Sequence, residues 1–547
     1  MSESVASAVA AGDDRASAKT GWTGRIAAPG HRLLWGGGLL LVALGLFTLY
    51  YRQSWIGPFN SDGASMVVQA QAMLHGNLLL HGWHLSDVSF YTTELPEYML
   101  VELVRGLNPD VVRICAALTY TLLVVLAAAV AYGARPADRR TGLVRAGITV
   151  AVMIGPTVAA TTVLLNDPDH TGTAVPVLLA VLAVDRGRRR WWVPVVVAAV
   201  LGWALVGDSL VLLVGVAPLV IVCGARSFGL LALRGQPRAV AWYDLALAGA
   251  GVAAAIGGTA LSALIRASGG FALSPQTTQY AVRSAAVPAN AAATVSNFLG
   301  LFSADFFGAR LNSWLAVTAV HLAFAGLVAA GLFVALRASR RNFLHGDLVA
   351  QLLAAAVVLN LLGYLLLYPG SSATVREIAP VFGLGGALAG RVLGGPLLRR
   401  RLEPLLALGA VAAVTVLLPP LLTVRPTAPA ASGLARFLAA HQLSSGLAGY
   451  WNADSTTLDS AGRVVIAAVR FRRGQGLVAY PWEIDTRRYD SSANDANFLV
   501  ATGPGARSAV TEPEAVAAFG RPYRRYRYHG YTIMVWHKNL LAQLRTS

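Results

Sequence analysis

Charge is scarce in this chain. Only 13% of its 547 residues are Asp, Glu, Lys or Arg, and 55% are hydrophobic. A soluble protein carries about a quarter charged residues, so an ordinary water-soluble globule is excluded. Cysteine is nearly absent. Cys115 and Cys223 are the only two, and both fall inside apolar runs. They read as small hydrophobes, which excludes a disulfide scaffold and a thiolate metal site. Acidic residues are few, 27 against 44 basic ones, for a net charge of +17. That excess does not signal nucleic acid, because the arginines cluster between apolar runs, as cytoplasmic loops of membrane proteins do. Walker loop, GxSxG elbow, HExxH and CxxC are all missing. Their absence argues against a nucleotide-driven pump, a serine hydrolase and a zinc protease.

Long hydrophobic runs are abundant. Apolar stretches at 33–51, 110–133, 146–165, 171–185, 191–207, 209–225, 240–265, 312–336, 348–368, 379–394 and 405–424 read as about eleven transmembrane helices. The first run is too long for a signal-peptide core and reads as a retained anchor. Arginines at 135–145, 186–190, 226–238, 337–341 and 399–401 occupy alternate short loops. Those loops and the N-terminal tail, 1–32, are expected in the cytoplasm, and the C-terminus outside. After Arg425 the composition regains charge. Residues 425–547 predict a small extracytoplasmic α/β domain. GLARFLAAHQL and EPEAVAAFG read as helices; LAGYW, RVVIAAVRF, ANFLVATG and HGYTIMVW read as strands.

The expected external loop 52–109 is long and acidic. Asp62 follows Asn60 and Ser61, and the run after it has helical apolar spacing, so an interfacial helix is predicted. Asp62 reads either as a catalytic carboxylate or as a plain N-cap. Further on, ELPEYMLVELVRGL predicts a second interfacial helix begun near Pro96. It carries Glu94 and Glu97, which could bind a substrate or metal or face water. Asn166-Asp167-Pro168-Asp169-His170 follows another expected span. Asp167 and Asp169, two apart with His170 next, can share a hard cation or clamp a diphosphate through it; an Asx/Pro turn is the plainer reading. Arg376, outside and beside Glu377, suits bidentate phosphate capture, with headgroup snorkelling as the alternative. Arg283 is a further phosphate candidate, and Asp208, in a tight external turn, reads as structural.

This arrangement resembles the polytopic, lipid-carrier-dependent glycosyltransferases of the GT-C superfamily. An early Asp in the first outside loop (Asp62), two interfacial helices there, the multispan body 33–424 and an outside C-terminal domain carry the resemblance. Asp167-x-Asp169 resembles the second-loop acidic motif that holds a divalent metal in oligosaccharyltransferases. The resemblance implies a membrane glycosyltransferase of a bacterial cytoplasmic membrane. It would move sugar from a polyprenyl-phosphate donor to a cell-envelope glycan, lipid or protein acceptor. Asp62 would be the general base, Arg376 and Arg283 would hold the donor phosphate, and a divalent cation (Mg, Mn or Ca) is a possible cofactor in this class. The rival readings are a transporter or flippase, and a non-catalytic cell-envelope assembly protein. Against transport, the span interiors are nearly free of charge and the acidic groups lie at one surface.

Overall fold

The structure, a computed structural model, describes residues 29–57, 59–156, 158–166, 170–187, 189–232, 238–274, 284–306, 314–371, 374–423, 425–427, 431–503, 505 and 509–544. Asp167, Asp169 and Arg283 therefore lie outside the described residues. The chain divides into two compact units, 1–45 and 46–547.

The helical part runs α1 (Pro29–Gln53), α2 (Ser61–Leu74), α3 (Leu95–Arg105), α4 (Asp110–Tyr132), α5 (Arg139–Met153) and α6 (Val158–Leu164). It continues with α7 (Ala174–Arg186), α8 (Trp192–Gly207), α9 (Ala217–Ala232), α10 (Arg238–Ala267) and α11 (Val287–Leu301). The last of these helices are α12 (Trp314–Arg341), α13 (Leu348–Leu367), α14 (Ala379–Arg399) and α15 (Glu403–Leu422). Among the described residues, six helical stretches are long and apolar enough to cross a membrane: Asp110–Tyr132, Leu212–Ala232, Arg238–Ala267, Leu315–Arg341, Leu348–Leu367 and Val375–Arg399. These make the chain a membrane protein by length and composition. The expected count of about eleven is not confirmed, and two of the expected spans differ for local reasons. The predicted span 146–165 is broken after Met153 at Gly155–Pro156, where proline lacks the N–H a continuous helix needs. The helix α7 has 13 residues, about 20 Å at 1.5 Å per residue, short of a hydrocarbon core of about 30 Å.

Several loops expected in the cytoplasm meet at one end of the bundle. Arg391 is buried there and ties them together. Its guanidinium donates to Asp347 at 2.7 Å, to Asp185 at 2.8 Å and to the Val130 carbonyl at 2.8 Å. Nearby, Arg226 donates to Asp244 at 3.0 Å and to Gln351 at 2.8 Å. Such buried cations persist because carboxylates and carbonyls replace water around them.

The C-terminal region holds α16 (Ser432–Ala440), α17 (Tyr450–Asp459) and α18 (Glu512–Phe519). Short strands β1 (Trp83–Leu85) and β2 (Ala272–Leu273) belong to the helical part; β3 (Ser445–Ala448), β4 (Val465–Arg472), β5 (Gly476–Ala479), β6 (Ile484–Asp485), β7 (Phe498–Thr502), β8 (Arg524–Tyr528) and β9 (Tyr531–Val535) follow. Six of these form one sheet in the order β5-β4-β3-β7-β9-β8, with β3 parallel to β4 and β7. Alternation gives the sheet two buried faces: Phe498 and Val500 point into one core, Leu499 and Ala501 into the other. The segment LAGYW, expected as a strand throughout, ends its strand at Ala448. From Tyr450 the chain is helix, and α17 crosses over between the parallel strands β3 and β4.

A second, three-stranded sheet decides where the functional residues go. Its order is β2-β1-β6. β1 pairs in parallel with β2, His84 opposite Ala272, and antiparallel with β6, Trp83 opposite Asp485. It joins the first long loop, the segment after α10 and the C-terminal region. A shared core forms around it, with Phe59, Val67, Trp83, Leu95 and Phe271 packed with Leu458 of α17. The helix α2 is thereby enclosed. Its Ala64, Val67 and Ala70 are fully buried and it packs against α3 and α17, so it does not lie on a membrane surface as the sequence suggested. The helix α3 does keep an outward apolar face, with Leu100, Leu103 and Val104 at 67%, 66% and 84% exposure.

Candidate active site

Asp62 stands in the first turn of α2 and is not its N-cap. The cap is Asn60, in extended conformation, whose side-chain oxygen accepts from the backbone N–H groups of Asp62 and Gly63. Capping is thus done two residues earlier, and the Asp62 carboxylate is left for another partner. That partner is Tyr450, whose phenol donates to Asp62 Oδ1. The contact follows from the packing of α17 on α2, which the Ser61 hydroxyl pins by donating to the Tyr450 carbonyl at 2.7 Å.

The same phenol lies 3.1 Å from Glu483 Oε2, and Ser65 donates to that oxygen at 2.8 Å. Glu483 occupies the left-handed region, φ 49°, just before β6. A phenol has one hydrogen and cannot donate to two carboxylates at once. Burial, then the negative charge of Asp62, push Glu483 up to about 8. It holds a proton at neutral pH. Glu483 therefore donates to the phenol oxygen, and the phenol donates to Asp62. Burial, then the same two acids, hold the Tyr450 hydroxyl well above the usual phenol range. The result is a directed chain of hydrogens ending on Asp62, which is itself only partly buried.

A second cluster forms around His170, which takes the left-handed conformation with φ 50°. Its Nδ1 donates to Asp208 Oδ2 at 2.7 Å, and its Nε2 lies 3.3 Å from Glu377 Oε2. With a carboxylate at each nitrogen, both must carry hydrogens, so the ring is an imidazolium. Burial opposes that charge, but Asp208 and Glu377 outweigh it and hold the imidazole well above its usual range. Asp208 also accepts from the Thr173 hydroxyl and from the Leu210 N–H at 2.8 Å. Burial would raise its carboxyl, but the imidazolium and these donors bring it below the usual range. Arg376 follows on the other side, its Nε 3.8 Å from Glu377 and its side chain 34% exposed.

The two clusters share a border. Ser86, directly after β1, hydrogen-bonds Glu483, while the next residue, Asp87, feels the charges of Glu377, Arg376 and His170. Burial, then Glu377, raise the Asp87 carboxyl, and Arg376 and His170 draw it down. Arg113 holds the approach to Asp62. It is 1% exposed, donates to the Gly57 carbonyl at 2.7 Å and to Asn166 at 3.4 Å, and lies over the Trp55 and Phe59 rings at 5.1 and 5.6 Å. One side chain thus ties the segment leading into α2 to the one leading to His170.

Of the residues singled out in the sequence, Asp62 is in the first cluster, and His170 and Arg376 are in the second. Glu94 and Glu97 line a different cavity. Asp208, read as structural, is a partner of His170. Both His170 nitrogens face carboxylates, those of Asp208 and Glu377. Among the described residues no group of three acidic, histidine or cysteine side chains is arranged to hold a metal. Sequence reasoning missed Tyr450, Glu483, Ser65 and Arg113. The first two act across 388 and 418 residues of chain, on Asp62 and Ser65, and left no local signal.

Fold and site together define a polytopic membrane protein with two buried acid networks, one ending on the partly buried Asp62 and the other on the partly buried Arg376. No family model matches the chain, and neither does any curated protein. Among solved structures it is similar to the arabinosyltransferase EmbB from Mycobacterium smegmatis, at 13% identity and a TM-score of 0.34. The match covers 64% of this chain and 30% of that one, so this chain spans under a third of its length. Likeness at that level carries no argument about what this chain does.

Proposed function

We propose that this protein is a membrane glycosyltransferase that moves a sugar from a polyprenyl-phosphate donor to a cell-envelope acceptor. The reaction would occur at the outer face of a bacterial cytoplasmic membrane, with Asp62 as the general base. The observation that carries this reading is the hydrogen-bond chain from Glu483 through Tyr450 to Asp62. It orients a partly exposed carboxylate and keeps a proton stored behind it. A general base must accept a proton from a hydroxyl while held rigidly in place.

In the proposed step the acceptor hydroxyl gives its proton to Asp62. Its oxygen forms a bond to the anomeric carbon as the bond to the donor phosphate oxygen breaks, with inversion. The electron pair leaves on the phosphate, where Arg376 offsets the growing charge. The imidazolium of His170 orients Glu377 and through it Arg376. No step is routed through a metal; Asp167 and Asp169, the residues expected to hold one, lie outside the described residues.

The test uses membranes containing the full chain and a radiolabelled polyprenyl-phosphate sugar. Asp62→Asn should lower transfer by about 10²–10⁴-fold, the usual worth of a general base, with donor binding retained. Full transfer by that variant would refute the role of Asp62. Absence of any transfer or donor cleavage by the unaltered protein, across a panel of polyprenyl-phosphate sugars, would refute the transferase reading.

A further inference from the structure

A cavity of about 500 Å³ opens between α3, α4, α7 and α8, away from the Asp62 cluster. Its outer wall is apolar: Leu122, Leu179 and Trp203 are 45%, 41% and 54% exposed. Its inner end is polar and unsatisfied. Glu94 is 3% exposed, packs against Gly172, where any side chain would overlap it, and neither of its oxygens has a well-formed hydrogen bond. The adjacent Thr93 hydroxyl, which faces Glu94, likewise has no well-formed hydrogen bond. Glu97 accepts from Thr119 at 2.6 Å through one oxygen, and its other oxygen has no partner. No lysine or arginine lines the cavity.

Those features define a ligand. An unpaired buried carboxyl costs on the order of a few kcal/mol, which a bound partner recovers. The walls suit a hydrocarbon chain. A phosphate head would meet carboxyls and no lysine or arginine, and the His170 charge that Glu94 feels is already held between Asp208 and Glu377. We propose that this groove binds an uncharged, hydroxyl-bearing lipid of the diacylglycerol or long-chain alcohol class. The chain lies between α4, α7 and α8, and the hydroxyl bonds Glu94 and Glu97. Burial pushes Glu94 up to about 8 and Glu97 up to about 7, so at neutral pH Glu94 carries a proton and can both donate to and accept from a hydroxyl. This inference does not rest on the transferase reading: the cavity is a separate one and its test needs no sugar transfer.

The experiment measures radiolabelled dioleoylglycerol retained by the purified full-length protein in nanodiscs, beside labelled dioleoyl phosphatidic acid, which has the same chains and a charged head. The protein should retain dioleoylglycerol saturably, and at least about tenfold more tightly than phosphatidic acid. Leu179→Trp, a change at a half-exposed wall position, should abolish retention by filling the groove. Glu94→Gln, which still donates and accepts, should preserve it. Glu94→Leu should weaken it about tenfold or more, the worth of one to two hydrogen bonds. Equal retention of both lipids would overturn the uncharged-head assignment. Unchanged retention in Leu179→Trp would overturn the groove, and unchanged retention in Glu94→Leu would overturn the role of the carboxyls. A hydrophobic carbodiimide, which reacts with protonated carboxyls in apolar surroundings, gives a second readout by peptide mass spectrometry. Glu94 should be labelled in the unaltered protein and protected by dioleoylglycerol, and its failure to react would count against the proton it is held to carry.

Discussion

Replacing Glu483 by glutamine tests the hydrogen-bond chain most directly, because the two side chains have the same size and differ in whether they titrate. Burial and the charge of Asp62 raise the Glu483 carboxyl from the ordinary 4.5 to about 8. Between those two values the folded protein holds a proton that the unfolded chain has released. Stability therefore falls as pH rises through this window, by about 1.4 kcal/mol per pH unit for one group. Glu483 is buried, with 7% of its surface exposed, so solvent screening takes little from that figure. From pH 6 to pH 8 the unaltered protein should lose about 2 kcal/mol through this residue, since the slope halves as pH reaches the raised value. The Glu483→Gln variant loses none of it. Acids remote from Glu483 titrate equally in both proteins, so the difference between the two reports Glu483 together with the Asp62 charge coupled to it. Thermal unfolding in nanodiscs, followed by tryptophan fluorescence from pH 5.5 to 8.5, reads the effect. The variant should gain on the unaltered protein steadily with rising pH. A difference that does not change with pH, or one that shrinks, would show that Glu483 is ionised at neutral pH. Tyr450 could not then be relayed between the two acids as described.

Two further outcomes follow from the same geometry. Tyr450→Phe removes the phenol hydrogen from Asp62, a charge-assisted bond worth about 1.5–3 kcal/mol, and should slow sugar transfer by about 10–100-fold while donor binding holds. Transfer at the full rate would detach Tyr450 from the reaction. His170→Asn, a residue that tolerates the left-handed backbone at this position, leaves Asp208 and Glu377 without the imidazolium between them. It should destabilise the protein by about 3–5 kcal/mol, the usual cost of breaking a buried ion pair. The loss should be greatest at acidic to neutral pH, because a raised imidazole contributes fully below its ordinary value and fades as pH climbs past its elevated one. A melting temperature unchanged at pH 6 would contradict the ion-paired cluster.

Much of the helical framework was readable from the chain. Apolar runs such as 110–133 and 348–368 became α4 and α13 nearly residue for residue, because the drive to leave water is a property of each segment on its own. The start of α3 near Pro96 was likewise local, whereas the break at Pro156 inside the expected span 146–165 was passed over. Where the reading failed, a distant partner had intervened. The helix α2 has the composition of a surface helix, but α17 covers it. LAGYW has the composition of a strand, but the crossover to β4 needs a helix after Gly449. Asp208 looked like a turn residue until His170, 38 positions away, was brought against it.

By itself, then, the sequence determined that this is a membrane protein with arginines gathered in alternate loops, because hydrophobicity and charge act through counts along a short stretch. It also pointed to Asp62 as a residue to watch. Only the tertiary structure decided what Asp62 can do. A carboxylate becomes a candidate base through its hydrogen-bond donors, and the groups that direct one to it, Tyr450 and Glu483, lie some four hundred residues away. A two-residue strand pairing between β1 and β6 brings Glu483 in, and the seating of α17 on α2 brings Tyr450. Hydrogen bonds are short-ranged and directional, so residue types along the chain cannot express them until the fold has closed.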